Sequence, residues 1–281
     1  MELPKLAEGK GQPALSIARA CLQPPPPEAS GSSRYVCGSV HEKYLHFRGV
    51  GTYLVRGGNE ILVDAANPVD PRLLQLCTLA LPFGVLLRQR GLAVLHGSAI
   101  SVNGSAVAFL AGRRMGKSTL ASAMCRRGYG LVTDDILAID LTVSDRPVAL
   151  PSIPWIKLSR QVVSSLGDDP DALEVLYPGS QERWWAVAYR FQDTALPVSL
   201  LYVLGEGPTT HTEALSRRDA TMELMRHSYA LDRRDPSAVA AFFRQCVGLT
   251  RVVPLRRLIR PLDLAGLPAM VAHIESDMRG I

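Results

Sequence analysis

The chain lacks the marks of a membrane or secreted protein. No apolar run reaches the roughly 20 residues that a bilayer-spanning helix needs. The apolar stretch "LALPFGVLL" (79–87) is short and interrupted by Pro82 and Gly84. The start, "MELPKLAEGKGQP", has no basic-then-apolar targeting pattern, so a cytoplasmic location without a membrane partner is expected. The five cysteines, Cys21, Cys37, Cys77, Cys125 and Cys246, form no C-x-x-C pair, which argues against a disulfide framework and against a cysteine zinc site. No repeat with a period of roughly 20–50 residues is present. The net charge of +5 is mildly basic, but its densest stretch, "RVVPLRRLIRP" (251–261), has no interleaved aromatics and no nucleic-acid motif. That stretch reads as a half-buried element with a solvated face, and no nucleic-acid partner is expected. A positive balance also suits an enzyme that handles phosphates.

What is present is the texture of a soluble α/β chain. Residues 1–33, ending in "QPPPPEASGSS", read as a flexible proline-rich tail. Residues 34–91 read as a small β-rich N-terminal domain plus helix. Short β-prone runs, "YLHFRGV", "GTYLVRG" and "EILVDA", form a meander over 34–64. A helix follows over 70–91, opened by Asp70 as N-cap with Pro71 at its first position and stopped by Gly91.

Residues 92–281 form the larger domain. The strands "VLHGSAISV" and "SAVAFLA" are joined by Asn103-Gly104, a hairpin signal. "KSTLASAMCRRG" is a helix closed by Gly128, and "GLVTDDILAIDL" a strand interrupted by two aspartates. Further on, "PVSLLYVLGEG" is a buried strand, "SRRDATMELMRHSYA" a helix opened by Ser216 and Asp219, and "DPSAVAAFFRQCVG" a helix stopped by Gly248. "TRVVPLRRL" is a strand, and "LDLAGLPAMVAHIESDM" a terminal helix.

The chemistry lies in "FLAGRRMGKSTLASAM" (109–124). It carries most of the phosphate-binding pattern G-x-x-x-x-G-K-[ST] but has Ala111 where the opening glycine belongs. Such a loop works because backbone N–H groups and a helix N-terminus converge on an anion, a lysine meets the outer phosphates, and a hydroxyl ligates magnesium. Gly112, Arg113, Arg114, Met115, Gly116, Lys117, Ser118 and Thr119 are therefore the candidate nucleotide-binding residues. The strand before and the helix after are the required context. A methyl at position 111 is tolerable if its backbone angles are ordinary. A chance G-K-S-T turn in a structural α/β unit is the alternative.

Asp134 and Asp135 end a strand beside that loop, where one carboxylate can serve a metal and the other an attacking hydroxyl. Adjacent strand residues point oppositely, so the backbone must turn if both act; otherwise Asp135 caps a turn and Asp134 alone is functional. One can also raise the pKa of the other. His96, 21 residues before Lys117, is a turn or core residue, or a partner of phosphate or carboxylate.

"VLHGSAISVNGSAVAFLAGRRMGKSTLASAMCRRGYGLVTDDI" resembles the catalytic core of the HPr kinase/phosphorylase family in the order of its parts. The resemblance is strong over residues 92–140 and extends to the short HPr-kinase-like kinases of peptide-modifying gene clusters. Those include enzymes that phosphorylate the C-terminal serine of lasso-peptide precursors. It implies an α/β fold with a P-loop HPr-kinase-like core and a small N-terminal β-rich segment. It also implies an ATP- and Mg2+-dependent serine kinase acting on a peptide or small protein, and allows a homo-oligomer. By that likeness Lys117 binds the phosphates, Ser118 and Asp135 serve the metal, Asp134 is the general base, and His96 lies at the transfer site. The sequence departs from the family at Ala111. It also lacks a second E-x-R-G-x-G loop, where it has "LPSIPWIKLS", and these departures point away from HPr as acceptor and from phosphorolysis. A small-molecule kinase and a non-catalytic nucleotide- or peptide-binding module are the competing functions. Arg183 and Arg190, around "RWWAVAYRF", are either anion clamps or surface residues, the Trp184–Trp185 pair is expected to divide between core and surface, and His227 reads as a helix-surface residue.

Overall fold

The computed structural model describes residues 15–24, 33–142 and 146–280. Residues 1–14 and 25–32, most of the stretch read as a tail, lie outside the described residues. The part that is described departs from that reading: β1 (Ser16–Arg19) lies parallel to β5 (Glu60–Ala65). Its alternation is too short to stand out, and it exists because β5 offers a free edge.

The expected meander is present as β2 (Arg34–Gly38), β3 (Glu42–Phe47), β4 (Gly51–Arg56) and β5, each antiparallel to the next. The helical stretch divides into α1 (Pro71–Leu79) and α2 (Leu81–Gln89). The Asp70 side chain caps α1 by accepting from the N–H groups of Arg72 and Leu73. The break falls at Ala80 (φ −87°, ψ −111°), because Pro82 has no N–H to continue the ladder. Val85 and Leu86 of α2 pack on Leu45, Tyr53, Val55 and Ile61 of the sheet, a small core of its own.

The larger sheet begins with the hairpin of β6 (Ala93–Val102) and β7 (Ser105–Leu110), turned by Asn103 and Gly104 at φ 49° and 78°. Then come α3 (Lys117–Arg126), β8 (Gly130–Thr133), β9 (Ile136–Asp140), β10 (Val148–Ala149) and β11 (Trp155–Ser159). They are followed by α4 (Arg160–Ser165), β12 (Glu182–Ala186), β13 (Leu196–Glu206) and β14 (His211–Ala214). The chain ends with α5 (Arg217–Arg226), α6 (Pro236–Val252), β15 (Leu255–Arg260) and α7 (Leu267–Asp277). Strands β7, β13 and β15 run parallel at the centre of an eight-stranded sheet. The fold is α/β: α3 and α7 cover one face through Leu120, Met124, Met270 and Ile274, while α5 and α6 cover the other through Leu224, Phe242 and Leu249.

Helix α6 runs through Gly248, against the expected stop, and ends at Val252, with Val253 as its extended cap before Pro254. A helical glycine costs about 1 kcal/mol, which burial of Phe242, Cys246 and Leu249 along one face outweighs. Strand β15 accordingly starts at Leu255, and its basic cluster is not simply solvated, since Arg260 is 3% exposed. No helix of the described residues is long and apolar enough to cross a membrane.

Candidate active site

The phosphate loop hangs between β7 and α3. Its left-handed positions are Arg114 (φ 63°) and Gly116 (φ 76°); Ala111 and Gly112 are not among the positive-φ residues. The opening glycine is therefore dispensable, and the Ala111 methyl is fully buried in the core beneath the loop. Gly116 is the N-cap of α3 and turns the chain so that the first α3 N–H groups face the loop's concavity. Met115 does not face a ligand with its side chain, which packs partly buried against the core. The Lys117 ammonium is folded back onto the carbonyls of Ala111 and Gly112, both at 3.0 Å. Burial lowers its pKa, partly opposed by the nearby aspartates.

The two aspartates sit where the sheet splits. Strand β8 pairs with the far half of β6 and β9 with its first half, so the chain must jog between them. Asp135 makes that jog at φ 74°. Asp134 ends 8% exposed, and its carboxylate accepts from Ser98 Oγ at 2.6 Å and from Ser118 Oγ at 2.9 and 3.2 Å. Burial and the Asp135 charge raise its pKa despite those bonds. Asp135 faces the cavity and is ion-paired with Lys157. Burial pushes its pKa up, but the Lys157 ammonium outweighs this and the net shift is downward. The structure thus joins Ser118 to Asp134, whereas the family likeness places Ser118 and Asp135 together at the metal.

His96, on β6 opposite Ile136, hydrogen-bonds through Nδ1 to the Asp135 carbonyl at 3.0 Å. Its Nδ1 also lies 3.4 Å from the Asp135 carboxylate, and its ring stacks on Tyr229 at 5.9 Å. Burial and Lys117 lower its pKa, which favours the neutral imidazole. Tyr229 approaches from the other side over Gly84, where a Cβ would meet its ring at 2.6 Å. Only glycine permits α2 to pack this near the site.

His227 is not on a helix surface. It ends α5, its carbonyl accepts from the His96 N–H at 2.8 Å, and its ring lines the same cavity. Burial pulls its pKa down to about 4. Arg183 is buried and spent on the carbonyls of Pro170, Ser180 and Glu182, so it shapes a loop and clamps no ligand. Arg190 lies beside Gly128 and over the Tyr189 ring and does not line the cavity. Trp185 is buried and Trp184 half-buried, the expected alternation.

Ser98, Lys157 and Arg260 are additions that motif reading misses. Arg260, at the end of β15, donates to the Met115 carbonyl beneath the loop. One signal for Lys157 is compositional: the chain has five lysines against 26 arginines. All three described lysines, Lys43, Lys117 and Lys157, line one cavity of about 1540 Å³.

Among the described residues no three His, Cys, Asp or Glu side chains gather as a metal cluster. The Ser118 hydroxyl and Asp134 carboxylate are nevertheless hard oxygen donors beside a phosphate loop. That is the donor set magnesium uses when phosphates and water supply its remaining ligands.

Neither a family model nor a curated protein matches the chain. Among solved structures, it is similar to the HPr(Ser) kinase/phosphatase from Coxiella burnetii, with 13% identity over 66% of this chain and 95% of that one and a TM-score of 0.35. At that distance, function has to be argued from the site itself.

Proposed function

We propose that the chain is an ATP- and Mg2+-dependent phosphotransferase that phosphorylates a Ser or Thr hydroxyl of a peptide or small protein. The observation that carries this reading is the contact of Ser118 Oγ with Asp134 at the start of α3, one residue after the loop lysine. Phosphate cradle, lysine, metal-type donors and a second carboxylate meet there. Magnesium, when bound, neutralises charge on the terminal phosphate oxygens, and Ser118 with Asp134 would hold it.

The remaining steps belong to the chain's own residues. The first α3 N–H groups and Gly116 cradle the phosphates, and Lys117 exchanges its two carbonyl contacts for phosphate oxygens. Asp135, held ionised by Lys157, accepts the proton of the acceptor hydroxyl. The new O–P bond forms as the bond from the γ-phosphorus to the bridging oxygen breaks, and ADP leaves. His96 fixes Asp135 through its carbonyl. Relative to the family likeness, this reading exchanges the roles of Asp134 and Asp135, because Ser118 touches Asp134.

A peptide acceptor, rather than a metabolite, is favoured by the cavity's extent beyond the loop. The C-terminal serine of a ribosomally made lasso precursor is the specific acceptor the sequence resemblance suggests. Incubation with labelled ATP and such a precursor tests the reading. Transfer that is lost in Asp134→Asn and in Asp135→Asn supports it, whereas no transfer by the wild type, or undiminished transfer by both variants, overturns it.

A further inference from the structure

The cavity is larger than one small ligand needs, since such sites commonly measure roughly 300–1,000 Å³ against about 1540 Å³ here. Its inner end is the phosphate site. Its outer end is built by the N-terminal domain and the turn after α5: Val36, Phe47, Leu81 and Val85 supply an apolar wall, and Arg34 and Arg233 a cationic rim. The two parts are tied by Lys43 of β3, whose ammonium meets Asp232 at 2.8 Å and the Gly38 carbonyl at 2.8 Å. Nine Lys and Arg side chains line the whole cavity against three Asp and Glu. Several of these cations are already paired: Lys43 with Asp232, Lys157 with Asp135, Arg226 with Glu223, and Arg234 with Asp232. Arg34 has no carboxylate partner among the described residues, and Arg233 reaches only two carbonyls and a serine hydroxyl at 3.3–3.5 Å. Arg34 lines the same cavity as Tyr229, the ring that stacks on His96 beside Asp135.

We propose, resting on the phosphotransferase reading, that the outer end is the acceptor subsite and that its occupant is an acidic peptide segment. Its carboxylates meet Arg34 and Arg233, an apolar side chain covers Val36, Phe47 and Leu81, and the reacting hydroxyl passes Tyr229 to reach Asp135. An apolar wall beside cations that have no carboxylate partner among the described residues selects a segment in which hydrophobic and acidic residues alternate.

The test is fluorescence anisotropy without nucleotide, using the full chain and three labelled peptides. Each has a central serine flanked by leucine alternating with glutamate, glutamine or lysine. The glutamate peptide is expected to bind tightest, and salt to weaken it. Joint substitution of Arg34→Glu and Arg233→Glu is expected to lower its affinity roughly tenfold and to shift preference to the lysine peptide. That gain for the lysine peptide also shows that the variant is folded. Equal binding of the three peptides, binding of none, or an unchanged preference in the double variant overturns the proposal. Binding of a fluorescent ATP analogue by the wild type is read separately. Its absence beside intact peptide selectivity defeats the phosphotransferase reading and leaves the acidic-peptide site standing.

Discussion

Ser118 Oγ donates to both carboxylate oxygens of Asp134, at 2.9 and 3.2 Å, across the gap between the first turn of α3 and the end of β8. Residues that hold one ion act as a unit, so their removal is not additive. Ser118→Ala and Asp134→Asn are each expected to lower phosphoryl transfer about 100-fold or more, as loss of a charge-stabilising group at a transition state does. The double variant should fall little further. Steady-state transfer across a magnesium titration checks this, and a double variant showing the product of the two single effects would separate the residues.

Lys157 holds Asp135 in its ionised form against the cost of burial. Lys157→Met removes the largest of the lowering influences and leaves the desolvation that raises it, so the Asp135 pKa must rise. The base is active when deprotonated, and the acid limb of the pH–rate profile should therefore move to higher pH. Lys157→Arg should restore most of the wild-type profile. A pH series of kcat/KM decides it; a variant that loses rate equally at every pH assigns Lys157 a role other than holding the base.

How much of this was legible in the sequence follows from how locally each part is encoded. Lys117, Ser118 and the strand-turn-helix around them are contiguous, and the Asp134–Asp135 jog interrupts a visible apolar run. Lys157 and Arg260 reach the site only through the β11–β12 pair and the parallel strand order, which adjacent residues do not specify. His227 looked like a surface residue because α5 ends there, yet chain reversal lays the next residues beside β6. The two helix boundaries differ from the local pattern for opposite reasons: at Ala80 the missing N–H of Pro82 breaks a continuous apolar spacing, whereas at Gly248 a local preference of about 1 kcal/mol yields to the apolar face that the helix buries.

His227 has a folded pKa of about 4, below its ordinary value of 6.5, because burial disfavours the imidazolium. The unfolded chain then binds the proton more readily between those two values, so stability is full above pH 6.5 and falls as the pH drops toward 4. His227→Gln removes this group and should flatten the dependence by about 3 kcal/mol over that window. Thermal melts from pH 4 to 7.5 measure it, each pH taken roughly half a unit apart. A slope identical to wild type would place the titration elsewhere.

Lys43 and Asp232 are a nearly buried pair, 8% and 14% exposed, that joins β3 to the turn after α5. Desolvation raises the Asp232 pKa, but bonds from Lys43 and Arg234 bring it down to about 2. Lys43→Met leaves the carboxylate with the exposed Arg234 alone and should cost about 2 kcal/mol in urea unfolding at neutral pH. Below about pH 3 Asp232 is largely protonated in the unfolded chain and the difference between wild type and variant should shrink. Equal midpoints at pH 7 would show that the two parts are held by their apolar contacts alone.

Arg260 lies under the phosphate loop, 3% exposed, with Nη2 bonded to the Met115 carbonyl and Nε without a partner among the described residues. Desolvation lowers its pKa, so the charge sits there at a cost to stability. A buried cation that is incompletely paired contributes little to folding, and an apolar residue of similar length is commonly neutral or better. Its geometric effect is different, because it pins the carbonyl one residue before Gly116 and with it the left-handed turn that opens α3. Arg260→Met should therefore leave the melting temperature within a few degrees of wild type while weakening nucleotide affinity about tenfold, the value of one charged hydrogen bond at the loop. Arg260→Lys should recover part of the affinity. Titration of a fluorescent ATP analogue, read beside a thermal melt of the same sample, separates the outcomes: lost stability with unchanged affinity would make Arg260 a core residue without a part in holding the loop.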